Sequence, residues 1–140
     1  MTLILDSGPL YAHLDRNDPD FAKVVEILDA ESGALVVPAF VAAEVDYMAL
    51  RDLGVDVELA FLNDLASGAF QMESLNRGEL RDARDLIGRY RDLEIGVADA
   101  SVVVLARRLS TTRIMTFDER HFRAIEPLQG GHFTILPADA

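Results

Sequence analysis

Apolar residues along this chain follow two rhythms. Leu3-Ile4-Leu5, Ala34 to Val37, Arg113 to Phe117 and Phe133 to Leu136 are short, nearly unbroken apolar runs. That is how strands covered on both faces read. Between them, apolar positions recur every three or four residues, the period of helices buried along one side. Phe21, Val24, Val25 and Leu28 follow Asp18-Pro19, an N-cap and first-turn pair, and Gly33 closes that segment. The same spacing predicts helices over Leu10–Asp15, Ala39–Arg51, Val55–Ser67 and Val97–Leu109, with a short turn of helix at Glu119–Phe122. Asn76 with Glu79 three residues on is a capping box, and the helix behind it is expected to bury Leu80, Ala83, Ile87 and Tyr90. Phe70 to Glu73 alternates and is expected as a short strand.

Strands alternating with helices imply right-handed crossovers and a parallel sheet. The fold expected is a three-layer α/β domain, with a central, mainly parallel sheet of four to five strands flanked by helices. No repeat, low-complexity tract or linker divides the 140 residues, so a single domain over 1–140 is expected. There is no cysteine, which excludes disulfides, thiolate metal sites and cysteine nucleophiles. No apolar run approaches the ~20 residues of a membrane span. The chain opens directly on a strand with no basic leader, unlike a signal peptide. A cytoplasmic, membrane-free protein is the expectation.

Charge complicates that picture. The formal net charge is −11, and a negative field slows encounter with nucleic acid unless a basic patch or bound cations intervene. Four carboxylates stand out because solvation does not explain their positions. Asp6 ends the first apolar run, and Asp118 ends the run at Arg113 to Phe117. Glu44 has Phe40, Val41, Tyr47 and Met48 as helical neighbours, so it is expected to be drawn toward the interior. Asp99 sits in the first turn after Gly96, among Ile95, Val102 and Val103. Each has a structural alternative: a turn residue for Asp6, an internal ion pair for Glu44, a dipole-stabilising acid for Asp99 and an N-cap for Asp118.

Together the four fall near strand ends and helix starts on one sheet edge, where open parallel sheets bind ligands. Two unit charges ~5 Å apart repel by roughly 3 kcal/mol at an effective dielectric near 20. Protonation or a hard divalent cation must relieve several such contacts. His13, His121 and His132 are scattered rather than at zinc spacing, so all-oxygen ligation by Mg²⁺ or Mn²⁺ is expected. Such an ion can activate water and stabilise phosphoryl displacement, the chemistry of phosphodiester hydrolysis.

These residues resemble the PIN-domain ribonucleases and, within them, the VapC-type toxins of toxin–antitoxin pairs. The likeness runs from Leu3-Ile-Leu-Asp-Ser-Gly-Pro-Leu10 through Val41-Ala-Ala-Glu-Val45 and Val97-Ala-Asp-Ala-Ser101 to Thr116-Phe-Asp-Glu-Arg-His-Phe122. The resemblance implies an endoribonuclease in which Asp6, Glu44, Asp99 and Asp118 hold Mg²⁺, with Ser7 and Thr116 orienting carboxylates or water. It also implies an RNA substrate, a cognate antitoxin and a homodimer. The surplus of apolar residues in Val55 to Ala66 would then be a surface for the antitoxin or a second copy, rather than a deeply buried helix.

Arginines bear on the RNA. Arg120 and Arg123, close in sequence to Asp118, are the candidates for phosphate contact, and His121 beside them is expected to be structural. Arg77, Arg81, Arg84 and Arg91 form a helical stripe, expected as a solvated face with Arg81–Asp85 and Asp85–Arg89 pairs. Arg107 and Arg108 lie at a helix C-terminus, where dipole compensation explains them as well as RNA contact does. Two other functions fit part of the pattern. A phosphoacceptor signalling domain also gathers acids at strand ends but needs a late lysine, and the one lysine here is Lys23. A PIN-like RNA-processing or catalytically idle RNA-binding module is the other.

Overall fold

Residues 1–140 are described by a computed structural model. Five parallel strands form one sheet: β1 (Leu3–Leu5), β2 (Leu35–Pro38), β3 (Gln71–Glu73), β4 (Arg113–Met115) and β5 (Thr134–Leu136). Seven helices flank it: α1 (Ser7–Ala12), α2 (Phe21–Ala30), α3 (Ala39–Leu53), α4 (Val55–Ser67), α5 (Arg77–Arg89), α6 (Val97–Arg108) and α7 (Glu119–Ala124). The expected three-layer parallel architecture is therefore present. No helix is long and apolar enough to cross a membrane.

Strand order is β3-β2-β1-β4-β5. The chain builds outward from β1 to β3, then returns to lay β4 on the other side of β1. That reversal leaves a crevice between the carboxyl ends of β1 and β4, the place where such sheets bind ligands. Leu5 pairs with Met115 in the ladder, so Asp6 and Thr116 leave the sheet side by side.

The core is a single cluster, filled by β1 and by α6, in which Ala100 through Ala106 are all buried. A helix apolar on every side belongs in the middle of a layered domain. Its two C-terminal arginines are pinned by acids: Arg107 pairs with Asp82, and Arg108 with Glu73 and Glu79. These ion pairs, beyond dipole compensation, fasten α6 to α5 and β3. Gly68, with φ of 84°, closes α4 in the left-handed conformation a glycine adopts without strain.

Several local expectations are corrected. The first helix begins at Ser7 rather than Leu10, because Asp6 already takes the extended backbone of an N-cap. The second begins at Phe21. Asp18 instead accepts the Asp20 N–H in a turn that leads into it, at 2.8 Å. On α5 the buried residues are Ala83 and Leu86, whereas Leu80 is 46 % exposed. The helix ends at Arg89, so Arg91 drops out of the stripe, and Arg84 takes Asp85, at 3.6 Å, in place of the two expected pairs. Helix α4 is not deeply buried. Only Phe61 is inside, and Val55, Leu59 and Leu62 are exposed, as are Tyr47, Leu50 and Met72; Leu62 and Met72 line one groove.

Candidate active site

A cleft of about 580 Å³ opens at the β1/β4 crevice, lined by Asp6, Ser7, Gly8, Glu44, Gly96, Ala98, Asp99, Phe117 and Asp118. All four candidate carboxylates line it, brought there by four different elements. β1 delivers Asp6, α3 Glu44, the first turn of α6 Asp99, and the turn between β4 and α7 Asp118.

Asp6 is the buried one, 5 % exposed. Its Oδ2 accepts a hydrogen bond from the Thr116 hydroxyl at 2.6 Å. Thr116 Oγ1 in turn accepts the Asp118 N–H at 3.0 Å, so one hydroxyl ties both strand ends together. Asp6 Oδ1 has no partner, though it is buried. Burial pushes the Asp6 carboxyl up to about 6 from its ordinary 3.8; Asp99 and Glu44 add to the rise, while Thr116 and the Ser7 backbone N–H oppose it.

Asp99 is also held above its ordinary carboxylate range. Burial is the main cause, with Asp118 and Glu44 adding repulsion and His121 opposing them. His121 stands 3.0 Å from Asp99 Oδ2 and 2.8 Å from Asp118 Oδ2 through the same Nδ1. Asp118 caps α7, its Oδ1 accepting the His121 N–H at 3.0 Å. The N-cap alternative for Asp118 is therefore true, and its second oxygen still faces the His121 ring.

Glu44 departs from expectation. It is exposed, reaching the cleft from the rim rather than from the interior. The apolar neighbours that suggested burial, Phe40 and Tyr47, are themselves 39 % and 63 % exposed. They mark an outer apolar face, while the core face of α3 carries Val41, Ala42, Val45 and Ala49. Asp46, by contrast, carries a buried, unpartnered Oδ1 at a separate groove with Glu58.

His121, expected to be structural, stands with the candidate ligands, and Phe117 was not among the expected site residues. His121 belongs with Asp99 and Asp118 in a group whose donor atoms all lie within 4.8 Å of one another, a spacing that could hold a metal. Its signal was its place three residues after Asp118, on the face that the capping turn directs back to the carboxylate. Phe117, 39 % exposed, forms one wall of the cleft. Its ring lies against Gly8, where an added Cβ would come within 3.0 Å of Phe117 Cδ2. Of the two arginines expected at phosphate, Arg123 is already held by Glu119 and Asp139. Arg120 is exposed and free of ion pairs but lies outside the cleft lining.

The donor set fits a divalent cation on one specific observation: the buried Asp6 Oδ1 lacks any partner and sits among other carboxylates. A dicationic charge there would satisfy that oxygen, compensate the burial that chiefly raises Asp6 and Asp99, and offset the carboxylate repulsion that adds to it.

Comparison with known proteins points the same way. The PIN domain family model matches residues 3–126. Ribonuclease VapC26 of Mycobacterium tuberculosis is 44 % identical over 135 residues, covering 96 % of this chain and all of that protein. Among solved structures, M. tuberculosis VapC20, described as a sarcin-ricin-loop-cleaving toxin, superposes with a TM-score of 0.77 at 16 % identity, covering 83 % of this chain and 89 % of that one. VapBC2 of Rickettsia felis, solved with a promoter DNA fragment, gives 0.67 at 14 % identity over 96 % of this chain and 97 % of the other.

Proposed function

The chain belongs to the PIN-domain family, and from that premise we propose that it is a divalent-cation-dependent endoribonuclease, the toxin of a toxin–antitoxin pair. The supporting observation is the unpartnered, buried Asp6 oxygen in a cleft with Asp99, Asp118 and Glu44. A module that only bound RNA would gain nothing from a carboxylate so costly to leave unpaired. The 44 % identical relative is named a ribonuclease, and solved neighbours include toxin–antitoxin complexes such as one from Klebsiella pneumoniae.

Asp6, Asp99 and Asp118 would hold the ion, with Glu44 at the rim; Mg²⁺ suits the oxygen donors, and Mn²⁺ would also accept His121. When bound, such a cation supplies charge stabilisation at phosphate and a more acidic water. The chain supplies the rest. Thr116 fixes Asp6 Oδ2 and leaves Oδ1 free to ligate. The α6 N-terminus favours the negative charge of Asp99, and His121 holds the Asp99 and Asp118 carboxylates at a common distance. Phe117 over Gly8 gives the cleft a flat apolar wall beside the acids, suited to a nucleotide base.

The whole chain, 1–140, acts as one such unit, in the cytoplasm where RNA and antitoxin meet it. The outward apolar face of α4, with Tyr47, Leu50 and Met72, is the surface for the antitoxin or for a second copy in a homodimer. Digestion of total RNA, with cleavage ends mapped, tests the reading. Cleavage is expected with Mg²⁺ or Mn²⁺, is abolished by a chelator, and is lost in Asp6→Asn. Cleavage that survives both treatments would refute it.

A further inference from the structure

A protein with net charge −11 must still hold a polyanion. A second cleft, of about 460 Å³, adjoins the acidic one. Arg77, Arg81 and Arg84, one helical stripe of α5, line it around an apolar floor of Leu80, Ile87 and Val97. Val97 precedes Ala98 and Asp99, which line the acidic cleft, so the first turn of α6 forms the ridge common to both.

The charge here is uncommitted. Arg77 and Arg81 make no ion pair, and Arg84 has only the exposed Asp85 at 3.6 Å. Five other arginines are taken: Arg51 by Asp52, Arg107 by Asp82, Arg108 by Glu73 and Glu79, Arg113 by Glu31, and Arg123 by Glu119 and Asp139. Arg16, Arg89, Arg91 and Arg120 are also without an ion pair, but none of them lines either cleft. Asp82, which follows Arg81 in sequence, is occupied by Arg107. The floor is equally unusual. Leu80 is 46 % exposed and Val97 37 % exposed in a cleft between cations. Guanidinium groups over an apolar floor match a single strand, with phosphates on the arginines and bases against the floor.

Resting on the ribonuclease reading above, we propose that the Arg77–Arg81–Arg84 cleft is the track that holds single-stranded RNA and leads it over Val97 into the acidic cleft. The stripe covers about 10 Å of helix, room for roughly three nucleotides at the ~3.4 Å spacing of a stacked strand. An acidic segment of a protein partner is the competing occupant.

The test uses a short labelled single-stranded RNA of mixed sequence with the full-length protein. Cleavage is followed with Mg²⁺ in excess, and binding by anisotropy. Arg77→Gln/Arg81→Gln/Arg84→Gln is expected to raise KM about 10- to 100-fold, with kcat within about twofold. The dependence of log(kcat/KM) on log salt should flatten by about 2, because each phosphate that an arginine neutralises on a single strand adds ~0.7 to the slope. Arg89→Gln, a charge-matched change on the same helix outside the cleft, should shift KM less than Arg81→Gln. All these side chains are exposed, so thermal melts should coincide with that of the native protein. A triple variant with unchanged KM and salt slope overturns the track and leaves the ribonuclease reading standing. If the native protein cleaves no RNA, that reading fails, and anisotropy decides the track by itself: equal RNA binding by native and triple variant overturns it. A triple variant that no longer binds a polyglutamate peptide, with RNA binding unchanged, assigns the cleft to a protein partner and also overturns it.

Discussion

Two groups of carboxylates in this molecule have opposite fates. At the α5–α6 junction, Glu73, Glu79 and Asp82 meet Arg107 and Arg108, and every carboxylate has an arginine partner, Arg108 serving two of them. Burial pushes Glu79 up, but the Asn76 backbone N–H and Arg108 outweigh it and hold the carboxyl below its ordinary value. At the β1/β4 crevice, Asp6, Asp99, Asp118 and Glu44 converge with no arginine or lysine among the lining residues. There Asp6 and Asp99 are held above their ordinary values. The first group is a fastening; the second is a set of donors left to a ligand. Their difference separates what stabilises the fold from what would do chemistry.

The largest expected effect separates them in activity. Asp99→Asn should lower RNA cleavage roughly 10²- to 10³-fold, as removal of a preorganised charged group at a reacting centre typically does, while melting temperature does not fall. Arg108→Ala should do the reverse, costing about 1 kcal/mol of stability with cleavage within about twofold. Parallel cleavage assays and denaturant melts check both. An Arg108→Ala protein that is fully stable yet inactive would dissolve the distinction.

A second prediction concerns pH. In the cation-free protein, folded Asp6 takes up its proton near pH 6 rather than 3.8. The native state therefore binds the extra proton between those values, and this group's contribution to stability falls as pH rises from about 4 to 6. The shift corresponds to about 3 kcal/mol. Glu79, shifted the other way, contributes stability above its ordinary pKa that is lost as pH falls. Asp6→Asn should accordingly stabilise the cation-free protein at pH 7 by about 1–2 kcal/mol, less than the full shift because its amide N–H is buried without an acceptor. Urea midpoints across pH 4 to 7 measure this. A variant less stable than the native protein at pH 7 would contradict the assigned strain.

The smallest effect tests the cleft wall. Gly8→Ala must displace the Phe117 ring, since the new Cβ would lie 3.0 Å from it. Cleavage should fall a few-fold with stability nearly unchanged, and Gly8→Ala/Phe117→Leu should recover part of the activity. No effect of Gly8→Ala would remove Phe117 from the cleft's working wall.

Much of this is legible in the sequence. The strand runs at Leu3, Leu35, Ile114 and Ile135 are short and apolar on both faces, so their existence and order leave little choice, although β4 stops at Met115, two residues before the expected end. The four acids could be read because strand ends and a helix start are positions that topology gathers at one edge. What could not be read depends on which apolar face is inside. Phe40 and Tyr47 suggested that Glu44 was buried, yet they lie on an outer face. Leu80 and Leu86 are equally apolar in sequence, and only the packing of α5 on α6 selects Leu86 for the core. His121 depends on a capping turn whose geometry places Nδ1 between two carboxylates from distant segments. The pairing of Arg123 with Asp139 needs the C-terminal turn folded back, which no local pattern announces.

The unpartnered donors at the crevice are tested most directly by calorimetric titration of Mn²⁺ into cation-free protein at pH 6, in two buffers of different ionisation enthalpy. The expected result is saturable binding with release of part of a proton, because Asp6 is about half protonated there and must ionise to ligate. Asp6→Asn should bind far more weakly and release none of that proton. Equal affinity and equal proton release in the two proteins would contradict a cation held by Asp6.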